Sequence, residues 1–202
     1  MISPYAAYAF DSLFARLTHK SPIGLSRLKA LCGVEEQDQH CPLFVTWNTI
    51  TDDAEDKSLR GCIGNFGNLE LESGIKEYAL IAALEDTRFE PIVPEELPSL
   101  ECDVTLLKHF EKADNPLDWE LGKHGVRISF SSSHQQFSAT FLPDVAVEQG
   151  WDKNETLDHL VRKAGSRGDW RNLDIILTRY QGIKTSITYG EYVTLRGQLG
   201  LK

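Results

Sequence analysis

The chain has 202 residues, a formal net charge of -9 and 41% hydrophobic residues. This length allows one large domain or two small lobes, with a core that needs no disulfide or metal. The acidic balance argues against a nucleic-acid partner, because phosphate backbones are bound by clustered lysines and arginines. From residue 162 onward, however, eight basic residues stand against three acidic ones, a pattern that suits the binding of an anion or a partner and equally an ordinary solvated surface.

The sequence predicts neither a membrane protein nor a secreted one. No apolar run approaches the roughly 18 residues that span a bilayer, and the N-terminus lacks the pattern of a signal peptide. We therefore expect a cytoplasmic protein, with the nucleus as the alternative compartment. The cysteines show no paired spacing typical of zinc, so we expect reduced thiols, no metal and no cofactor. They are Cys32, Cys41, Cys62 and Cys102.

The N-terminal half predicts two helices separated by a β-hairpin. Ser3 and Pro4 suit an N-cap and a first helical residue, and the apolar spacing after them predicts a helix over roughly residues 4 to 18. Residues 43–49 are rich in strand formers. The polar segment 51–57 is expected to be the turn that joins them to a strand over residues 59–64. Apolar spacing predicts the second helix over residues 71–85.

The C-terminal half predicts further strands and one more long helix. Three prolines make residues 91–98 irregular, and strict alternation over residues 100–106 predicts a strand with Cys102 in the core. Alternation over residues 126–130 and 137–141 predicts a second hairpin. Asp152 and Glu155 form a capping-box pattern that opens a helix, which we expect Gly165 to close. Residues 175–177 suggest another strand.

These elements predict the fold class. Strands outnumber helices, hairpins recur, and no regular alternation of strand and helix is visible. The pattern favours an α+β fold around a mainly antiparallel sheet with flanking helices. The sequence pattern gives no boundary between lobes.

The most informative segment is Leu59-Arg60-Gly61-Cys62-Ile63-Gly64. Side chains alternate along a strand, so the segment divides into two sets that face opposite ways. The set expected to face the core is Leu59, Gly61 and Ile63. The set expected to face the other way is Arg60, Cys62 and Gly64.

This arrangement suggests a reactive thiol. A guanidinium beside a thiol lowers the thiol pKa from its free value of about 8.5, so Arg60 would activate Cys62 as a nucleophile. Glycine is costly in a strand, and it marks a bulge or the close approach of a ligand or another backbone. Gly61 and Gly64 are therefore expected to line the site. A bulge at Gly61 would break the alternation that this interpretation requires.

Several stretches of the chain together resemble the AMMECR family. The matching residues are Leu59 to Gly64; Asp86, Arg88, Phe89 and Pro91; Phe141-Leu142-Pro143 with Trp151; and Lys163-Ala164-Gly165. The resemblance covers the chain from about Cys41 to Tyr180, and it identifies residues 1–202 as a single AMMECR-type domain. It implies an α+β fold of two unequal lobes, with the hexapeptide near the cleft between them.

The resemblance also implies an unsettled biochemical activity. In some microbes such domains look like partners of Memo-type proteins and radical S-adenosylmethionine enzymes, by gene fusion or gene neighbourhood. This chain has no CxxxCxxC motif for an iron-sulfur cluster. Any radical chemistry would therefore have to come from another polypeptide.

The later motif supplies further candidates for the site. Asp86 would orient Arg88 through a bidentate pair, and the guanidinium would then hold the carboxylate or phosphate of a small anionic ligand. His134 lies in a serine-rich turn, as a candidate binding residue or an ordinary exposed one. The alternative is that Arg60 and Arg88 satisfy backbone carbonyls or Asp86, and that Cys62 packs as a small hydrophobe.

Two functions from different classes follow. The first is an enzyme or enzyme accessory that uses Cys62, Arg60, Asp86 and Arg88 on an anionic or activated substrate. The second is a non-catalytic binding or regulatory module for a protein, a peptide or a nucleotide. Glycine-opened backbone around a thiol favours the first, and a depressed pKa of Cys62 would support it.

Overall fold

A computed structural model describes residues 3–34, 39–50, 57–132 and 134–201. The helices in these ranges are α1 (Pro4–Thr18), α2 (Leu25–Cys32), α3 (Leu71–Leu84), α4 (Pro143–Glu148), α5 (Lys153–Lys163) and α6 (Tyr189–Gln198). The strands are β1 (His40–Ile50), β2 (Lys57–Glu70), β3 (Leu100–Lys112), β4 (His124–Ser132), β5 (Gln135–Phe141) and β6 (Ile176–Thr188). Two short 3-10 helices span Pro94–Ser99 and Trp170–Asn172.

The strands form one six-stranded sheet in the order β2-β1-β3-β6-β4-β5. The pairs β1 with β2, β1 with β3, β4 with β5 and β4 with β6 are antiparallel. The predicted α+β fold with a mainly antiparallel sheet is therefore confirmed. Within the described part of the chain, no helix is long and apolar enough to cross a membrane.

The chain divides into two compact units. The first consists of Met1–Leu106 with Lys184–Lys202, and the second of Leu107–Ile183. The first unit therefore contains β1, β2, α1, α2, α3 and α6, and the second contains β4, β5, α4 and α5. Strands β3 and β6 contribute residues to both units.

The core of the first unit lies between its strands and helices α1, α3 and α6. Every second residue of β1 from Cys41 to Trp47 is buried, and Trp47 donates a hydrogen bond from Nε1 to the Ala79 carbonyl of α3 at 3.0 Å. Phe10 of α1 packs edge-on against Trp47 and stacks on Tyr192 of α6. Helix α3 packs against both β1 and β2, which brings its C-terminal end to the edge of the sheet.

The second unit has its own core, in which α5 packs with β4 and β6. Its buried residues include Val126, Ile128, Leu157, Leu160 and Leu177. The capping box predicted for α5 is confirmed, since Asp152 accepts from the Glu155 amide and Glu155 accepts from the Asp152 amide. The predicted C-cap is one residue off: the helix is capped at Ala164, and Gly165 follows with a φ of 93°, the conformation that a glycine adopts readily.

The predicted helix at the N-terminus is also confirmed. Ser3 accepts from the Tyr5 amide at 3.3 Å, and Pro4 is the first helical residue. The predicted end of the turn over residues 51–57 is wrong by one residue, because β2 already begins at Lys57. Residues 51–56 lie outside the described ranges. Strand β6 is far longer than the three residues predicted for it.

The sequence patterns did not predict α2, α4 or α6. The first two have 8 and 6 residues, too few for a helical period to stand out. Helix α6 does carry a local signal, since Thr188 and Glu191 form a capping box. Its two glycines weaken the helical pattern.

Candidate functional site

The hexapeptide lies in β2, and a bulge divides it. Trp47 of β1 is paired with Gly61, but the next residue of β1, Asn48, is paired with Leu59. Arg60 therefore has no opposite residue, and the alternation that the sequence predicts is broken at this point. The expectation that Leu59 faces the core is wrong, because this residue next to the bulge is 44% exposed.

The two glycines of the hexapeptide allow other groups to come close. A Cβ at Gly61 would lie 2.1 Å from the carbonyl oxygen of Ala82, near the C-terminus of α3. At Gly64 it would lie 2.3 Å from the ring of Phe44 and 2.4 Å from the Leu43 carbonyl oxygen. Both glycines thus serve the contact of β2 with its neighbours in the first unit, and Gly61 in particular lets α3 end against β2.

The end of α3 places Asp86 and Arg88 beside Cys62. The carboxylate of Asp86 accepts from Nε and Nη2 of Arg88 at 2.9 and 2.6 Å, so the bidentate pair expected from the sequence is present. Asp86 also accepts from the backbone amide of Cys62 at 2.9 Å, and Nη2 of Arg88 donates to the carbonyl of Cys62 at 3.1 Å. We call this pair the Asp86–Arg88 fork. The fork therefore binds both the amide and the carbonyl of Cys62.

Arg60 is bound elsewhere in the same unit. Its Nε and Nη2 donate to the carboxylate of Glu96 at 2.7 and 3.1 Å, in a second bidentate pair. The guanidinium also lies 5.9 Å from the ring centroid of Phe89. The charged groups that act on the Cys62 thiol are instead Arg88, Asp86 and Lys184. Arg60 therefore ties β2 to the 3-10 helix Pro94–Ser99.

The surroundings of Cys62 do not favour a thiolate. Burial raises the pKa of Cys62, and this effect outweighs the lowering by the Thr46 hydroxyl, which donates to Sγ at 3.1 Å, and by Arg88. Arg88 also lowers the pKa of its carboxylate partner, and at Asp86 its effect is the largest one. Hydrogen bonds from Arg88 hold the pKa of Asp86 well below its usual range, so Asp86 is ionised at neutral pH.

Cys62 belongs to a transverse row of polar side chains on the first unit's sheet. Thr46 of β1 lies opposite Cys62, and Asp103 of β3 lies opposite Thr46. Asp103 accepts from Asn48 at 3.1 Å and pairs with Lys184 of β6 at 3.0 Å. We call Cys62, Thr46, Asp103 and Lys184 the polar row. The alternate residues of β1 fill the core, so the row occupies the opposite face of these strands.

Sequence reasoning missed most of the partners in this cluster. Thr46 was part of a predicted strand and of the predicted hairpin, but the pairing register needed to place it against Cys62 was not visible. Glu96 and Lys184 are far from the hexapeptide in the chain, 36 residues from Arg60 in the case of Glu96. Contacts of this kind follow from the fold and have no local sequence signal.

His134 lies in the second unit, in the turn between β4 and β5. It is exposed and has a φ of 64°, so its backbone serves a tight turn. The C-terminal residues that carry the family resemblance, among them Phe141, Trp151 and Lys163, contact one another in this unit. Lys163 of α5 donates to the Thr140 carbonyl at 2.9 Å and lies 4.6 Å from the ring centroid of Phe141, which also contacts Trp151.

The side chains of the described chain offer no metal centre. Within residues 3–34, 39–50, 57–132 and 134–201, no group of three or more His, Cys, Asp or Glu side chains has the arrangement needed to hold a metal ion.

Comparison with known proteins places the chain in a family. The AMMECR1 family model matches residues 6–185. An uncharacterised protein of Arabidopsis thaliana is 48% identical over 194 residues, which cover 94% of this chain and 86% of that protein. An uncharacterised protein of Schizosaccharomyces pombe is 40% identical over 189 residues, which cover 94% of each.

A solved structure shares the fold. The crystal structure of an uncharacterised protein from Pyrococcus horikoshii matches with a TM-score of 0.64 and 24% identity, and the match covers 92% of this chain and 93% of that one. The family model and the relatives together show that this chain belongs to the AMMECR1 family, whose members matched here are uncharacterised proteins.

Proposed function

We propose that this protein is a non-catalytic binding module, in which the polar row of the first unit receives a protein partner. One observation carries this proposal: the Asp86–Arg88 fork holds the backbone of Cys62, while burial raises the pKa of its thiol. A nucleophile needs a thiolate at neutral pH, whereas a binding surface needs only fixed side chains.

The charges around Cys62 indicate what the partner would present. Arg88 and Lys184 have side chains that are 53% and 52% exposed, and the carboxylates paired with them are nearly buried. Both cations lower the pKa of Cys62, so their charges act at the same position. An anionic group of the partner would therefore meet two cations whose counter-ions lie beneath them. The resemblance makes a Memo-type protein the first partner to test.

The second candidate is a thiol enzyme or enzyme accessory acting on an anionic or activated substrate. The effect of Arg88 and Lys184 on Cys62 favours it, since nearby cations stabilise a thiolate. Burial opposes it and is the larger effect. The two candidates therefore differ in a measurable quantity, the apparent pKa of this one thiol.

The test is the pH dependence of Cys62 alkylation in the native protein, with Cys32, Cys41 and Cys102 replaced. The binding module predicts an apparent pKa at or above the free value of about 8.5. The matched reference is the same chain in denaturant, where Cys62 should react as a free thiol. An apparent pKa below about 7 in the native protein would contradict the proposal and support the enzyme.

A partner titration separates the two candidates further. Lys184→Gln should weaken binding of a Memo-type protein, because it removes a half-exposed cation from the polar row. Cys62→Ser should leave binding unchanged. Lys123→Gln is the matched control, since Lys123 is 50% exposed and paired with Glu120 in the second unit. Equal binding by all three variants would argue against the polar row as the surface.

A further inference from the structure

Strand β2 lies at one end of the sheet, and it runs over 14 residues. An edge strand presents unpaired amides and carbonyls, and these can pair with a strand of another molecule. Pairing with another molecule is favoured further because Leu59 exposes an apolar side chain on this strand. A strand of this length therefore needs some feature that prevents pairing.

Three features interrupt the β2 edge, one after another. At Arg60 the bulge breaks the register, and the Arg60–Glu96 pair fixes it. At Cys62 the fork takes the amide and the carbonyl. At Asn65 the side chain accepts from the Gly67 amide at 2.7 Å, so this donor of β2 is satisfied within the strand itself. Bulges and blocked backbone groups are the means by which native sheets avoid edge pairing.

We infer that the Asp86–Arg88 fork is an edge guard, which takes the place of a neighbouring strand at Cys62 and prevents β2 from pairing with a second copy of this chain. The fork supplies one acceptor for the Cys62 amide and one donor for the Cys62 carbonyl. These are the two bonds that a residue of an antiparallel partner strand would make. This inference goes beyond the proposed binding function, because it concerns the backbone edge. The two share the fork, and Lys184→Gln, which leaves the fork intact, tests the binding function separately.

The geometry specifies how two unguarded copies would meet. Two identical edges pair antiparallel about a two-fold axis, so a pairing centred on the freed groups places Cys62 opposite Cys62. Directly opposed residues that exchange both backbone hydrogen bonds have Cα atoms about 5.5 Å apart. That separation lies within the range of about 4.4–6.8 Å that a disulfide needs. The Cys62 thiol is therefore a reporter for this pairing.

The experiment removes the guard in two steps. Arg88→Ala frees the Cys62 carbonyl but leaves Asp86 on the amide, and its half-exposed side chain makes loss of the fold the lesser risk. Asp86→Ser with Arg88→Ala frees both groups. Arg171→Ala is the matched control, because Arg171 is 50% exposed and paired with Asp169 in the second unit. Each variant carries Cys62 as its only cysteine.

The readouts are molar mass by light scattering over a concentration series, and cross-linking by copper phenanthroline, the oxidant that accepts the electrons of both thiols. We expect a monomer for the parent chain and for Arg171→Ala. The double variant should form a dimer at high concentration with a Cys62–Cys62 cross-link, and Arg88→Ala should do so to a lesser extent. A folded, monomeric double variant would overturn the inference.

An unfolded variant also decides the question. If circular dichroism shows that Arg88→Ala does not fold, the guanidinium is needed to form the strand rather than to guard a formed one, and the inference fails. A dimer that gives no Cys62 cross-link would show pairing elsewhere and would overturn it too.

Discussion

Two Asp–Arg pairs in the first unit use the same chemistry in different surroundings. The Asp11 carboxylate accepts from the Ile23 amide at 2.6 Å, while Arg196 donates to Asp11 at 3.0 Å and to the Ser21 carbonyl at 3.1 Å. The fork repeats this arrangement on the amide and the carbonyl of Cys62. In each case an ion pair satisfies backbone groups that lack a partner in regular secondary structure.

The two pairs differ in the exposure of the arginine. The side chain of Arg196 is 5% exposed and its carboxylate is fully buried, whereas Arg88 is 53% exposed above a buried carboxylate. Burial raises the pKa of Asp11, and Arg88 lowers the pKa of Asp86. The Asp11–Arg196 pair thus behaves as a part of the core that joins α1 to α6. The fork is an ion pair that water can reach from one side.

The largest expected effect concerns the buried pair. Arg196→Ala leaves the Asp11 carboxylate buried without its cation, and it should lower the free energy of unfolding by about 3–5 kcal/mol. Chemical denaturation followed by circular dichroism measures this. Arg16→Ala, an exposed arginine of α1, should cost less than about 0.5 kcal/mol. An equal loss of the free energy of unfolding in the two variants would contradict the assignment of the Asp11–Arg196 pair to the core.

The next effect tests the contact that brings the fork to β2. Gly61→Ala places a Cβ against the Ala82 carbonyl oxygen, and the resulting shift of α3 should cost up to about 3 kcal/mol. The control is Gly190→Ala in α6, where a Cβ meets no atom within 4 Å, so this change should be neutral or slightly stabilising. Thermal or chemical denaturation compares them. A Gly61→Ala chain as stable as the parent would contradict the close approach.

A smaller effect separates the pairs by their pH dependence. Asp86→Asn should cost about 2 kcal/mol at neutral pH, because it weakens charge-assisted hydrogen bonds. The pKa of Asp86 is lowered in the folded state, so its stabilisation is present above the unfolded pKa of about 3.9 and is lost as the pH falls below it. The difference between parent and variant should therefore shrink below about pH 4.

For the Asp11 pair, the stability difference between parent and variant should change with pH in the opposite direction. The pKa of Asp11 is raised in the folded state, so the folded protein takes up this proton at a higher pH than the unfolded chain does. The stability of the parent relative to Asp11→Asn should therefore increase as the pH falls through the acid range. Urea denaturation from about pH 7 to about pH 3 spans the unfolded pKa and measures both differences. The same sign for both aspartates would contradict the contrast.

The smallest effect is expected at the thiol. Cys62→Ser keeps a group that can accept from the Thr46 hydroxyl, and the fork binds only the backbone of this residue. The change in the free energy of unfolding should stay within about 1 kcal/mol. A larger loss, measured by chemical denaturation beside Asp86→Asn, would mean that the side chain of Cys62 rather than its backbone holds the cluster.

Local sequence signals predicted the strands and helices α1, α3 and α5, and the short range of these signals explains what was missed. Ser3, Asp152 and the apolar spacing of α3 act within one or two helical turns, so the helices that they begin or fill were predictable. The Asp86–Arg88 pair is also local, since its members are two residues apart. The bulge at Arg60 depends on the register with β1, and without it the exposure of Leu59 and the turn of Arg60 towards Glu96 could not be foreseen.

Hydrogen exchange of the Cys62 amide tests the central claim most directly, because Asp86 is the acceptor of this N–H. In the parent chain we expect slow exchange that occurs by local opening at the sheet edge, and Asp86→Ala should speed it at least about tenfold beyond the loss of global stability. The Ile63 amide, whose residue is paired with Val45 of β1, is the internal reference, and it should change only by the loss of global stability. Fast exchange at Cys62 in the parent chain, or no change in Asp86→Ala, would contradict the account.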